Sequence, residues 1–327
     1  MGKGAIQVAT YLVTGAAGFI GSALVRALLA RGDRVRALDN LSTGDIGNLA
    51  EVMERIDFRE ADLRDPAAVR DACRGADFIF HEAALASVPR SVAQPEATHE
   101  NNVTGTLHLL VAARDAGVKR IVYAGSSSVY GDTPALPKTE DMKPRPISPY
   151  AVSKLAGEHY MESFYRVYGL ETVTLRYFNV FGQRQNANSE YSAVLAKFIR
   201  QMLAGEQPTI YGDGEQSRDF THIDNIVSVN LRACSAPAEQ VAGKVFNAAT
   251  GERTTLNHTY RILQQLTGYG RDPMYAPPRT GDVKHSQADI GKARAALGYV
   301  PGVDFATGLR ETVAWCRAQS LLRAPLS

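Results

Sequence analysis

The stretch Thr14-Gly15-Ala16-Ala17-Gly18-Phe19-Ile20-Gly21 constrains this chain most. It follows a β-branched apolar run at residues 9–14 and opens a helical pattern over residues 19–30. Glycines at this spacing let a chain turn sharply off a strand, approach a pyrophosphate with its backbone, and pack the next helix closely. The helix start then presents unpaired N–H groups and a partial positive charge, a ready site for phosphate. Strand patterns recur at residues 34–39, 56–61, 77–81, 119–124 and 170–177, with helical segments between them. Such βαβ alternation requires right-handed crossovers and a parallel sheet. The expected fold is α/β, a doubly wound parallel sheet with a smaller, interleaved C-terminal α/β lobe.

Two long helices are expected at residues 101–116 and 150–168, each with an apolar stripe. After Tyr177 the alternation stops. Residues 182–189 read as a loop, 191–203 as a helix and 209–211 as a short strand running into Gly212. A helix at 226–235 and a strand at 245–247 are expected to return to the main sheet, with further helices at 290–297 and about 305–317. No sharp shift in composition marks a linker. The expected division is therefore a cofactor domain over 1–178 with a return segment near 219–249, and a substrate lobe built from 179–218 and 250–327.

The chain is 45% hydrophobic and 21% charged, which excludes a disordered polymer. Its 36 Lys and Arg against 34 Asp and Glu leave no global field for nucleic acid or an anionic membrane. No apolar run reaches the roughly 20 residues of a membrane span, and the N-terminal stretch lacks a signal-peptide pattern. Ile6 stands where a myristoylation signal needs Ser or Thr. Cys73, Cys234 and Cys316 are scattered and read as small hydrophobes in a reducing compartment. A cytoplasmic protein with no metal is expected.

Asp39 closes the second strand, 18 residues beyond Gly21. A carboxylate at about that distance accepts hydrogen bonds from an adenosine ribose and repels a 2′-phosphate, so NAD is expected over NADP. Asp62-Leu63, after the third strand, is placed to meet the adenine edge.

Tyr150 and Lys154 stand four apart on one helix face. The run Gly125-Ser126-Ser127-Ser128 follows the fifth strand, and ligands of open parallel sheets bind beyond the carboxyl ends of strands. Oxidising a secondary alcohol requires hydride transfer to NAD and removal of the hydroxyl proton. A tyrosine acting as that base must fall from a pKa of about 10 to near 7, some 4 kcal/mol. The Lys154 ammonium and the positive nicotinamide are expected to supply this, with Ser126 bonding the reacting oxygen and relaying its proton.

Together these motifs resemble the extended short-chain dehydrogenase/reductases of the nucleotide-sugar epimerase type, which are built on a Rossmann sheet. The resemblance covers nearly the whole chain. It implies cofactor contacts from Gly15, Gly18, Phe19, Ile20 and Gly21, from Asp39, Asn40, Ser42, Thr43 and Gly44, and from Asp62 and Leu63. Ala83, Ala84, Asn102, Tyr150, Lys154 and Tyr177 fall at further family contact positions. It also implies a UDP-sugar site: Asn179, Arg218 and Arg279 on the diphosphate, Asp282 on the uridine ribose, and Ser87, Ser126, Ser127, Tyr211 and Ser286 lining the sugar. Arginine's planar fork suits bidentate phosphate binding.

In such enzymes NAD stays bound, C4 of the sugar is oxidised, the 4-keto sugar rotates, and hydride returns to the other face. The related 4,6-dehydratases carry Asp-Glu after the catalytic hydroxyl. Ser127-Ser128 stands there in this chain, which leaves no acid and base for losing water. The segments 87–91 and 281–286 look most like epimerases of UDP-N-acetylglucosamine and UDP-N-acetylgalactosamine. Alternative readings are a UDP-hexose, UDP-pentose or UDP-glucuronate enzyme, including a decarboxylase; a net dehydrogenase; or a non-catalytic NAD-binding regulator. Family members commonly pair their two long helices into a four-helix bundle, so a homodimer is expected.

Overall fold

The computed structural model describes residues 8–186, 194–278 and 283–323. Its first half is β1 (Thr10–Thr14), α1 (Phe19–Ala30), β2 (Arg34–Asp39), β3 (Asp57–Glu60), α2 (Pro66–Cys73), β4 (Phe78–His81), α3 (Val88–Ala93), α4 (Pro95–His99), α5 (Gly105–Asp115), β5 (Arg120–Ser126), α6 (Pro149–Tyr168) and β6 (Glu171–Tyr177). The remainder is β7 (Val180–Phe181), α7 (Val194–Leu203), β8 (Thr209–Tyr211), β9 (Ser217–Arg218), β10 (Thr221–His222), α8 (Ile223–Ser235), α9 (Ala238–Val241), β11 (Lys244–Ala248), β12 (Thr254–Thr255), α10 (Leu256–Thr267), β13 (Met274–Ala276), α11 (Gly291–Leu297) and α12 (Phe305–Arg323).

Seven strands form one parallel sheet in the order β11-β6-β5-β4-β1-β2-β3. This is the doubly wound order with one strand added at its far edge. The strand order reverses between β1 and β4, which opens a crevice at their carboxyl ends. Strands buried on both faces read as near-continuous apolar runs, and Tyr11–Val13 and Ile121–Ala124 are such runs. Residues of α1, α8 and α11 cover one face, with Leu24, Leu28, Ile226, Val229, Ala293 and Leu297 in its core. Residues of α2, α5 and α6 cover the other, with Val69, Leu109, Leu110 and Met161. A third core, with Phe198, Ile199, Tyr260, Leu263 and Val313, lies between α7, α10 and α12.

The returning helix and strand are α8 and β11, and β11 pairs with β6. Three details depart from the sequence reading. The helix expected from residue 101 begins with a wide π turn over Glu100–Thr104, because the Asn102 side chain is bonded outside the helix. The amphipathic helix α10 was not foreseen. Finally, α11 packs on the main sheet rather than on the third core. Among the described residues no helix is long and apolar enough to cross a membrane.

Candidate active site

The glycine turn forms as its residue types demand. Gly15 has φ +67°, and a Cβ on it would lie 2.7 Å from the amide nitrogen of Ala83. β1 can therefore turn directly beside the end of β4. Gly18 begins α1 without any side-chain cap, so the first N–H groups of the helix, at Phe19, Ile20 and Gly21, have no intrahelical partner. These donors and the glycine cradle fit a dinucleotide diphosphate. A groove of about 570 Å³, partly open to solvent, runs past them between Gly15, Asp39, Asp62, Leu63, Ala83 and Ala84.

Asp39 is buried, and its carboxylate accepts hydrogen bonds from Ala17 N (2.9 Å) and Leu41 N (2.8 Å). Burial raises its pKa against these bonds. Gly44 lies against the same carboxylate, where a Cβ would come within 2.9 Å of both oxygens. Asn40, Ser42 and Thr43 complete this wall, with Ser42 Oγ donating to Asn40 Oδ1 at 2.7 Å. Asp62 is more committed than expected. Arg64 and Asn40 both donate to its carboxylate and hold it well below the usual range. Asn102 is also committed. Its amide bonds the backbone of Leu85 on both sides (2.8 and 3.3 Å) and donates to Ser153 on α6 (3.0 Å), so it ties the groove wall to α6.

The helix carrying Tyr150 starts at Ser148, whose hydroxyl accepts from Ala151 N, with Pro149 in the first turn, and ends at Gly169 with φ +71°. Gly157 lets it settle onto Tyr123 of β5. This packing brings Tyr150 within hydrogen-bond reach of Ser126. Ser126 is itself braced by Ser128, whose hydroxyl donates to it at 2.8 Å. Ser127 opens the short 3₁₀ turn that follows β5. Lys154 is buried, donates to the Ala124 carbonyl at 2.9 Å, and lies 5.0 Å above the Tyr123 ring.

Burial raises the Tyr150 pKa and only the Ser126 hydrogen bond opposes it. Burial likewise draws Lys154 down to about 8. Within the chain alone, burial thus favours the protonated phenol of Tyr150.

On the substrate side, Asn179 takes a left-handed backbone (φ +32°) and donates to Ser286 Oγ and to the Asp219 carbonyl, each at 3.2 Å. Arg218 donates to the carbonyls of Ser217 and Lys284. Asp219 accepts from Thr250 and from the amides of Gly251 and Ala288, which ties these loops to the end of β11. Ser87 caps α3 through Arg90 N (3.1 Å), and Tyr211 ends β8. Arg279 and Asp282 lie outside the described residues. The sequence reading missed Glu82, which lines the groove and whose carboxylate accepts from Tyr177 Oη at 2.9 Å. A carboxylate directly after a buried strand was its only signal.

The chain is similar to known proteins. A model of the NAD dependent epimerase/dehydratase family matches residues 11–249. A UDP-glucose 4-epimerase of Mycolicibacterium smegmatis is 41% identical over 94% of this chain and 99% of its own. A solved UDP-N-acetylglucosamine 4-epimerase from Methanobrevibacter ruminantium, in complex with UDP-N-acetylmuramic acid, superposes with a TM-score of 0.90 at 41% identity, covering 96% of this chain and 100% of that one. A Thermotoga maritima UDP-glucose 4-epimerase with UDP-glucose has the same TM-score at 38% identity, covering 95% and 99%. The glycine cradle, the uncapped α1 and the Ser126–Tyr150–Lys154 group thus sit in a chain that belongs to the NAD dependent epimerase/dehydratase family.

Proposed function

We propose that this chain is a UDP-sugar 4-epimerase acting on UDP-N-acetylglucosamine and UDP-N-acetylgalactosamine. The observation that carries the chemistry is the placing of Tyr150 within reach of Ser126 at the end of β5, with buried Lys154 one helical turn further along α6. The groove residues Gly15 to Gly21, Asp39 and Ala83 would hold NAD. Bound there, NAD supplies a reversible hydride acceptor and a positive charge beside Tyr150.

In this reading the residues of the chain manage the proton. Tyr150 Oη takes the proton of the sugar 4-hydroxyl and later returns it, while Ser126 Oγ holds the reacting oxygen. The Lys154 ammonium favours the phenolate whenever the groove keeps it charged. Ser127 and Ser128 offer no carboxyl group, which argues against elimination of water. The main-sheet residues 1–178 with the return segment 219–249 serve the cofactor. Residues 179–218 and 250–327 serve the UDP-sugar, with Asn179, Arg218 and Arg279 on the diphosphate and Asp282 on the ribose.

Ser286 supports the N-acetylated substrates. Its hydroxyl accepts from Asn179, and by resemblance it is the position against the sugar's C2 substituent, where a small side chain suits an acetamido group. Proton NMR of the protein with each UDP-sugar tests the reading directly. Conversion of UDP-glucose or UDP-glucuronate, with none of the N-acetylated pair, would overturn the substrate assignment. Ser286→Tyr should cut N-acetylhexosamine turnover about 5- to 150-fold, the scale of an overpacked pocket, and spare the C2-hydroxyl sugars. A homodimer through α5 and α6 completes the reading, since α6 exposes Val152, Tyr165, Val167 and Tyr168. Sedimentation of a monomer would remove it.

A further inference from the structure

The catalytic group leaves one enclosed ionisable residue without a role. Glu82 directly follows β4, and its N–H donates to the Thr14 carbonyl at 3.2 Å, which fixes it beside the glycine turn. Glu82 lines the groove, and its carboxylate accepts from Tyr177 Oη. Tyr177 is the register partner of Ser126 on the neighbouring strand. The carboxylate is thereby held beside the residue that pairs with Ser126. Asn230 of α8 holds the Tyr177 hydroxyl from behind at 2.8 Å.

The elements around Glu82 present few charges. α6 contributes Lys154, whose ammonium interacts electrostatically with the carboxyl. β6 contributes the Tyr177 hydroxyl, and α8 the neutral Asn230. The single charged residue of α1, Arg26, is bonded to the carbonyls of Ser22 and Asn48 and faces Glu51. His81, next in sequence, is held neutral between Thr14 and Thr106.

We propose that Glu82 sets the redox preference of the groove, its carboxylate favouring the oxidised, cationic nicotinamide over the uncharged reduced one. The proposal rests on the NAD site described above and deepens it. The two cofactor forms carry the same phosphates and differ by one positive charge on the ring, so a fixed anion at that end discriminates between them through Coulomb attraction. An epimerase benefits, because each turnover must begin with the oxidised form. Burial pushes the Glu82 carboxyl up to about 7, against the lowering effects of Tyr177 and Lys154. Glu82 is therefore charged above about pH 7 and neutral below it, and the preference should be present at alkaline pH and fade on acidification.

An anaerobic redox titration of the holoenzyme, followed by nicotinamide absorbance, tests this without turnover. Glu82→Gln keeps the size and the acceptor for Tyr177 but removes the charge. At a fixed potential near pH 8, the ratio of oxidised to reduced cofactor should fall about five- to tenfold in E82Q. Tenfold corresponds to about 30 mV for a two-electron couple. Near pH 6 the two proteins should agree within about twofold. An E82Q ratio equal to wild type at both pH values overturns the proposal. So does an equal change at both, which would mark a role in shape alone. Tyr177→Phe removes the donor that steadies the carboxylate, so the pH at which the preference sets in should move upward. An unmoved onset counts against Glu82 even if E82Q fails to fold. A protein that holds no nicotinamide at all would overturn the reading of the groove, and this proposal with it.

Discussion

Arg176 of β6 and Glu158 of α6 face each other in the enclosed seam between strand and helix, with hydrogen bonds of 3.0 and 2.5 Å. Their side chains are 3% and 7% exposed, and the guanidinium lies 4.7 Å from the centre of the Tyr130 ring. Glu158 stands four and eight residues beyond Lys154 and Tyr150, on the same helix face. The ion pair thus fixes the helix that carries Tyr150 and Lys154. Breaking a buried pair by removing one charge costs roughly 3–5 kcal/mol. Glu158→Gln should lower the unfolding free energy by about that amount in urea denaturation, and a loss under about 1 kcal/mol would show that the pair is not what holds the helix.

In the proposed reaction Tyr150, beside Ser126, is the proton acceptor. Tyr150→Phe should reduce turnover by about 10²–10⁴-fold, the usual reach of general acid–base catalysis, while the purified protein keeps its nicotinamide. Retention of more than about a tenth of the turnover would assign the base elsewhere.

Cofactor choice should follow Asp39. Its carboxylate stands beside the loop 40–44, and a 2′-phosphate in the groove would meet its charge. Asp39→Asn keeps an acceptor for one of the two amides of Ala17 and Leu41 and removes the repulsion. The ratio of NAD to NADP affinity should fall by about tenfold or more in reconstitution experiments, and unchanged discrimination would place the ribose contact away from Asp39.

Acid should weaken the fold through His81. The ring is enclosed between Thr14 and Thr106, each 2.8 Å away, and burial lowers its pKa to about 3. The unfolded chain takes up a proton near the ordinary value of about 6.5, whereas the folded one does not until far lower pH. The contribution of His81 to stability is thus complete above about pH 6.5 and is lost on acidification, by about 1.4 kcal/mol per pH unit toward pH 3. Denaturation of wild type and His81→Gln at several pH values between about 7 and 5 should show a shallower decline in the variant. Parallel slopes would mean that the ring is already protonated in the fold.

The sequence by itself determined the strand–helix alternation, the glycine turn, Asp39 at the end of β2 and the Tyr150–Lys154 face. Each of these is a relation within about 20 residues, expressed as apolar period, turn chemistry or spacing along one element. It also placed the return of α8 and β11, because a buried strand after a long excursion needs a sheet to complete. Only the tertiary structure decided the rest. Glu82 meets Tyr177 across 95 residues and Asn179 meets Ser286 across 107, separations over which no periodicity operates. Asn102 has the residue type of a cofactor contact, yet its amide is bonded to Leu85 and Ser153. Burial also raises the Tyr150 pKa within the chain alone. Proximity to a lysine is legible in spacing, whereas the cost of burying a phenolate depends on everything that packs around it.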